Sequence, residues 1–163
     1  MIQLREACET ADYELIARLA DAIWREHYTP IIGEGQVAYM LERFQSADAI
    51  GEQVRAGMRY FLLYHEKEPA GYFAYEKRGQ ELFLSKIYVL YALRGRGLGK
   101  SAMQFVADRA RQLQCTKIAL TVNKFNTGAI AAYQRMGFRL GPAIRQDIGG
   151  GFIMDDYKMI LDL

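Results

Sequence analysis

Residues 94–100 read Arg94-Gly95-Arg96-Gly97-Leu98-Gly99-Lys100, and this run separates two stretches of different period. Ahead of it, Leu82 to Leu90 is a dense apolar and aromatic run of strand length. Behind it, Met103, Val106, Ala107, Ala110 and Leu113 recur at helical spacing. The glycines therefore predict a strand, a tight turn and a helix in immediate succession, which commits the chain to an α/β arrangement. Such a junction binds anions. The first N–H groups of a helix lack internal partners, the helix dipole favours negative charge there, and glycine lets a phosphate approach the backbone. Arg94, Arg96 and Lys100 add positive charge to the same turn.

The phosphate ligand is narrowed by spacing. Gly95-x-Gly97-x-Gly99 is not the G-x-G-x-x-G of a dinucleotide fold. Gly99-Lys100-Ser101 ends like a Walker A loop, but Arg94 stands where that loop needs its first glycine. A P-loop nucleotide-binding protein is thus disfavoured, and a cationic turn without a ligand is the plain alternative.

The remaining chain supplies the other layers. Ile2 to Ala7 suits an edge strand, and Thr10 is the expected N-cap of a first helix striped by Leu15, Leu19 and Ile23. Pro30 and Gly33 to Gly35 should interrupt it; Val37, Met40, Leu41 and Phe44 mark a second helix, and Ser46 caps a third that ends near Gly57. Arg59–His65, Gly71–Tyr75 and Leu82–Leu90 read as an antiparallel meander, its second turn the two-residue Gly79-Gln80. Lys117–Val122 is a strand, Asn126–Met136 a helix closed by Gly137, and Phe138 onward and Phe152–Leu161 are two strands about the turn Gly149-Gly150-Gly151. The expected fold is a mixed central sheet flanked by helices.

Composition sets bounds on function. At 163 residues the chain predicts one domain over residues 1–163. A net charge of +2 with 25% charged residues lacks the footprint of a dedicated nucleic-acid binder. Cys8 and Cys115 lie far apart and read as free, buried thiols of a reducing, cytoplasmic compartment. Arg5 and Glu6 precede any apolar run, so neither a signal peptide nor a membrane span is expected. His27 and His65 have no metal-ligand spacing to the cysteines.

Ile87-Tyr88-Val89 followed by Arg94-x-x-Gly97-x-Gly99 resembles the acyl-CoA signature R/Q-x-x-G-x-G/A of the GNAT acetyltransferase superfamily. Asn126-Thr127-Gly128-Ala129, Tyr133 and Gly137-Phe138 resemble that superfamily's second signature. The resemblance implies an N-acetyltransferase with acetyl-CoA as co-substrate. It implies a sheet splayed between Leu82–Leu90 and Lys117–Val122, forming the acyl-CoA cleft. By the same resemblance Ile87, Tyr88 and Val89 would pair with the pantetheine through the backbone of Ile87 and Val89. Arg94, Gly95, Arg96, Gly97, Leu98, Gly99 and Lys100 would hold the pyrophosphate. Asn126 would contact the pantetheine arm, and Tyr133 would serve the departing thiolate.

Acetyl transfer to an amine has its own demands. An alkyl ammonium is only about 0.04% neutral at pH 7, so desolvation, a base or a proton wire must supply the lone pair. Asn126 and Tyr133 are nearly two helical turns apart and share a face, with Tyr133 the candidate donor to sulfur. A base is less evident. Where some polyamine-acetylating relatives carry Glu, this chain has Ser85, which the alternation places on the face of Phe83, Ile87 and Val89. Asp155 interrupts the apolar side of the last strand and is a second candidate, or a paired structural acid. Trp24, His27, Tyr28 and Tyr39, with Asp155 and Asp156 nearby, would suit a cationic amine by resemblance, although Trp24 and Tyr28 equally suit a core. The acceptor is then a small-molecule or protein amine, and a homodimer is compatible with this reading. The rival is a non-catalytic acyl-CoA-binding or sensing module on the same scaffold.

Overall fold

The three central runs do pair as a meander, and it is longer than its apolar cores. In the computed structural model, which describes residues 1–163 save the side chain of Lys86, β1 spans Ile2–Glu6, β2 Arg59–His65, β3 Glu68–Arg78, β4 Glu81–Val89, β5 Lys117–Asn123, β6 Arg139–Gly149 and β7 Phe152–Asp162. The sheet order is β1-β2-β3-β4-β5-β7-β6. Only the β4–β5 contact is parallel. Gly79, at φ 62°, turns β3 into β4 in two residues.

Both faces of the central strands β2 and β3 are covered, so these strands are apolar on both sides. In β2, Phe61 and Leu63 face one cluster while Tyr60 and Leu62 face the other. In β3, Phe73 and Tyr75 alternate likewise with Tyr72 and Ala74. Helices α1 (Thr10–Ile32), α2 (Glu34–Gln45) and α3 (Ala47–Arg55) cover the Tyr60–Tyr72 face. Helices α4 (Leu98–Gln112) and α5 (Thr127–Arg135) cover the Phe61–Phe73 face. Each large side chain fully buried in these layers stabilises the fold by about 1.5–3 kcal/mol.

Several boundaries differ from the sequence expectation. Glu9, not Thr10, is the N-cap of α1. The Asp12 carboxylate accepts from the Cys8 and Glu9 N–H groups and pairs with Arg5. Burial opposes ionisation of Asp12, but those two N–H groups and Arg5 outweigh it and lower its pKa. Pro30 does not break α1, because it stands in the last turn and removes one ladder bond there. The helix ends instead at Gly33, whose φ of 88° no helix can continue. Cys115 is buried, whereas Cys8 is exposed in the turn between β1 and α1. Ser46 caps α3 as expected, accepting from the Ala49 N–H at 3.2 Å.

Candidate active site

The sheet opens where a parallel pair begins to diverge. β4 and β5 are paired only at Glu81–Phe83 against Lys117–Ala119. Beyond that point the C-terminal half of β4 loses its β5 neighbour, and the backbone edge on that side lies open to a ligand. A cavity of about 540 Å³ fills the gap, within the range of cofactor sites. Ile87, Tyr88 and Val89 form one wall, Arg94, Gly95 and Gly97 to Lys100 the next, and Asn126, Ala129 and Tyr133 the third. Arg96 is the one residue of the glycine run outside this lining.

A β-bulge shapes the first wall. Ala74 faces Ser85 and Tyr72 faces Tyr88, so residues 86 and 87 together oppose the single Phe73. The extra residue reverses the alternation of β4. Leu82 and Leu84 face α4, and after the bulge Ile87 and Val89 face the same way. Ser85 was expected to share a face with Ile87 and Val89. The bulge puts it on the other one, opposite Ala74, and it does not line the cavity. Gly71 makes the bulge possible, since a Cβ there would stand 2.0 Å from the Tyr88 carbonyl oxygen. Nothing in the sequence pattern marked Gly71 as part of the site.

The second wall is the start of α4. Gly97 is its N-cap at φ 83°, and Gly95 is also left-handed at φ 78°. The first ladder bond runs from Ser101 N–H to the Gly97 carbonyl at 3.0 Å. The N–H groups of Leu98, Gly99 and Lys100 therefore have no partner within the helix, and no acidic side chain occupies the first turn. This end can take an anion.

The third wall explains the spacing of the second motif. Asn126 is buried and caps α5, its Oδ1 accepting from the Ala129 N–H at 3.4 Å, and it also lines the cavity. At the other end Phe138 N–H reaches the Tyr133 carbonyl and Gly137 N–H the Gln134 carbonyl, both at 3.0 Å, a Schellman closure with Gly137 at φ 101°. That closure lays the Phe138 ring edge-on against Tyr133 at 5.5 Å. Tyr133 is thereby held 7% exposed on the cavity wall. Burial pushes its hydroxyl well above the ordinary tyrosine value, the Tyr28 hydroxyl adds to this, and the Ile87 backbone N–H opposes it.

On the far side, α1 brings Ile23, His27 and Tyr28 into the cavity lining. Trp24 and Tyr28 are both buried, and of the two Tyr28 lines this cavity. The Trp24 indole donates to the Tyr72 hydroxyl at 3.0 Å, which donates to Gln45 Oε1 at 2.6 Å. Burial, and then the Tyr28 and Tyr72 hydroxyls, raise Tyr88 well above its usual value. Tyr39 does not join them. It donates to the Ile148 carbonyl at 2.7 Å and packs on Phe152, where Gly149 and Gly150 leave room for its ring. Asp155 is paired with Lys124, whose Nζ stands 2.9 Å from its Oδ1, and it does not line the cavity. Its neighbour Asp156 is the buried acid of this region.

The sheet is seven-stranded and parts beside a glycine-rich helix start, an α/β architecture with a cleft at one sheet edge. Residues 16–138 match the model of the Acetyltransferase (GNAT) family, and the chain belongs to that family. It is 36% identical over 61 residues to "Uncharacterized N-acetyltransferase YdgE" of Bacillus subtilis (strain 168), covering 37% of this chain and 39% of that protein. It is 39% identical over 65 residues to streptothricin acetyltransferase of Streptomyces lavendulae, covering 40% of this chain and 34% of that protein. The chain thus matches well under half the length of these relatives. In three dimensions it is similar to the PaiA N-acetyltransferase of Thermoplasma acidophilum, solved in complex with coenzyme A. That similarity has a TM-score of 0.83 at 17% identity over 100% of this chain and 99% of the other, and shows a shared fold.

Proposed function

We propose that this protein is an acetyl-CoA-dependent N-acetyltransferase that moves the acetyl group directly from the thioester to a primary amine. The observation that carries this reading is the convergence of an unpaired strand edge, a helix start with free N–H groups and a buried tyrosine hydroxyl on one cavity. The edge at Ile87–Val89 offers backbone partners to the two pantetheine amides, as an added strand would. The N–H groups of Leu98 to Lys100 face the pyrophosphate, with Arg94 and Lys100 nearby. Asn126 and the slim Gly128–Ala129 stretch border the arm.

The chemistry then needs few groups. The neutral amine attacks the thioester carbonyl, the C–N bond forms and the C–S bond breaks, and the departing thiolate takes up the proton that the attacking nitrogen releases, leaving the amide and the free coenzyme A thiol. Walls of Ile23, Tyr28 and Tyr88 disfavour the ammonium form at the reacting position. Tyr133 remains protonated throughout the neutral range and donates a hydrogen bond to the developing thiolate. Its raised pKa makes this donation, rather than complete proton transfer, its contribution. The acceptor is a small cationic molecule or a protein amine, and the named substrate of the streptothricin relative supports the small-molecule class.

The test is an acetyl-CoA consumption screen over linear amines, amino acids, aminoglycosides and peptides, with mass analysis of products. Transfer to an amine nitrogen is the expected result. Tight acetyl-CoA binding with no turnover on any of them would make the protein an acyl-CoA-binding module instead.

A further inference from the structure

A line of hydrogen bonds crosses the core on the α1–α3 face of the sheet. The Trp24 indole N–H donates to the Tyr72 hydroxyl at 3.0 Å, and Tyr72 donates to Gln45 Oε1 at 2.6 Å. Gln45 Nε2 donates to the Tyr60 hydroxyl at 3.2 Å, and Tyr60 donates to Gln53 Oε1. The line ends where the Gln45 and Gln53 amides both donate to the Phe44 carbonyl, at 2.7 and 2.8 Å. Trp24, Gln45, Tyr60 and Tyr72 are buried, so each depends on the next for its partner. The first member sets the direction. An indole N–H can only donate. The Tyr72 oxygen accepts from it, and the single Tyr72 proton then needs an acceptor on its other side. Gln45 Oε1 fills that place from the last residue of α2.

Trp24 and Tyr72 back the cavity wall. The Tyr88 ring packs on both, at 5.5 and 5.2 Å between centroids, and Tyr28 packs edge-on against Trp24 at 5.5 Å. Tyr28 and Tyr88 face the large cavity, whereas Trp24, Tyr72 and Gln45 do not line it. We propose that Gln45 is a positioning residue of the transfer site: through Tyr72 and Trp24 it holds the Tyr28–Tyr88 wall in the orientation that the reacting centre requires. Gln53 belongs to the same line but lies beyond Tyr60, on the far side of Gln45 from the wall, and serves stability alone. The effect on rate rests on the N-acetyltransferase reading, while the effect on the rings does not depend on turnover.

The test sets Gln45→Leu against Gln53→Leu. Each removes one amide from the line and leaves a buried tyrosine hydroxyl short of its acceptor, so both should melt below the unmodified protein. Both should bind acetyl-CoA with a Kd within about twofold of it by calorimetry, because the Ile87–Val89 edge and the start of α4 are untouched. Trp24 is the only tryptophan of the chain, so its emission reports on the backing ring directly. Gln45→Leu should shift that emission, and Gln53→Leu should not. With the best amine from the acetyl-CoA screen, kcat should fall on the order of 10-fold or more in Gln45→Leu and less than about twofold in Gln53→Leu, as misplacement rather than lost binding would give. Tyr72→Phe cuts the same link while keeping the ring, and should match Gln45→Leu in emission and kcat; it decides the matter if Gln45→Leu does not fold. An emission unchanged in Gln45→Leu and Tyr72→Phe, an unchanged kcat in both, or an equal loss of rate in Gln53→Leu overturns the proposal. If the unmodified protein acetylates no amine, the transferase reading falls, and the emission contrast alone upholds or overturns the positioning of the rings by Gln45.

Discussion

Replacing Tyr133 by Phe separates catalysis from binding more cleanly than any other single change in the cavity. The ring keeps its edge contact with Phe138 and its place in the Schellman closure of α5, both of which involve no hydroxyl. Stability should therefore move by about 1 kcal/mol or less, the net worth of one hydrogen bond, which is a shift of roughly 2–4 °C in a domain of this size. Acetyl-CoA affinity should hardly change, because the proposed contact forms only as charge develops on sulfur. Loss of a preorganised donor to a developing anion costs on the order of 10²–10³ in kcat. Burial raises the Tyr133 pKa, so the hydroxyl is protonated over the whole neutral range and contributes no limb to the pH profile. The variant should accordingly lose rate without change in the shape of that profile. Single-turnover kinetics at saturating acceptor across neutral pH is the assay. An unchanged chemical rate would return Tyr133 to the role of a packing residue, and a lost alkaline or acid limb would refute the argument from its protonation state.

Gly99→Glu should weaken acetyl-CoA binding on the order of 10²-fold or more while the fold survives, since no atom lies within 4 Å of a Cβ there and the added carboxylate faces the pyrophosphate position. Calorimetry with acetyl-CoA checks this, and retained affinity would place the phosphates elsewhere; Gly97 is a poorer choice because its φ of 83° adds strain. Gly71→Ala should cost about 1–3 kcal/mol, the usual range for overpacking, and lower acetyl-CoA affinity as well, because the Tyr88 carbonyl must move; a neutral thermal melt would show that the bulge yields freely. Alkaline unfolding should be steep. Burial raises Tyr60 to about 12, and burial raises Tyr72, Tyr88 and Tyr133 as well. Each binds more protons folded than unfolded above pH ~10, so stability is full below that pH and falls by up to about 1.4 kcal/mol per pH unit per tyrosine above it. Denaturant melts from pH 8 to 11 measure the slope, and a flat profile would mean these hydroxyls titrate normally.

Periodicity and turn chemistry in the chain were enough to order the strands and helices and to find the glycine-rich turn that opens α4. Those features are local: Gly97 and Gly137 adopt left-handed φ where the helices begin and end, and the apolar stripes of α1 and α4 are read directly from spacing. Asn126 and Tyr133 were legible for the same reason, since one short helix carries both, and its closing Gly137-Phe138 fixes the ring. The limits came wherever two distant segments had to meet. Alternation along β4 assigned Ser85 to the wrong face, because a bulge is an unequal count between two strands and Phe73 of the partner strand is half of it. Asp155 and Asp156 are indistinguishable as neighbours in sequence. The pleat of β7 separates them, leaving one beside Lys124 near the surface and the other buried. What the chain alone determined was which pieces it forms and where a helix starts on a glycine-rich turn. Which of the two acids is buried, and that a cavity opens beside Ile87–Val89 at all, depended on α1, β4 and α5 converging, and side-chain burial across such separations has no local period to betray it.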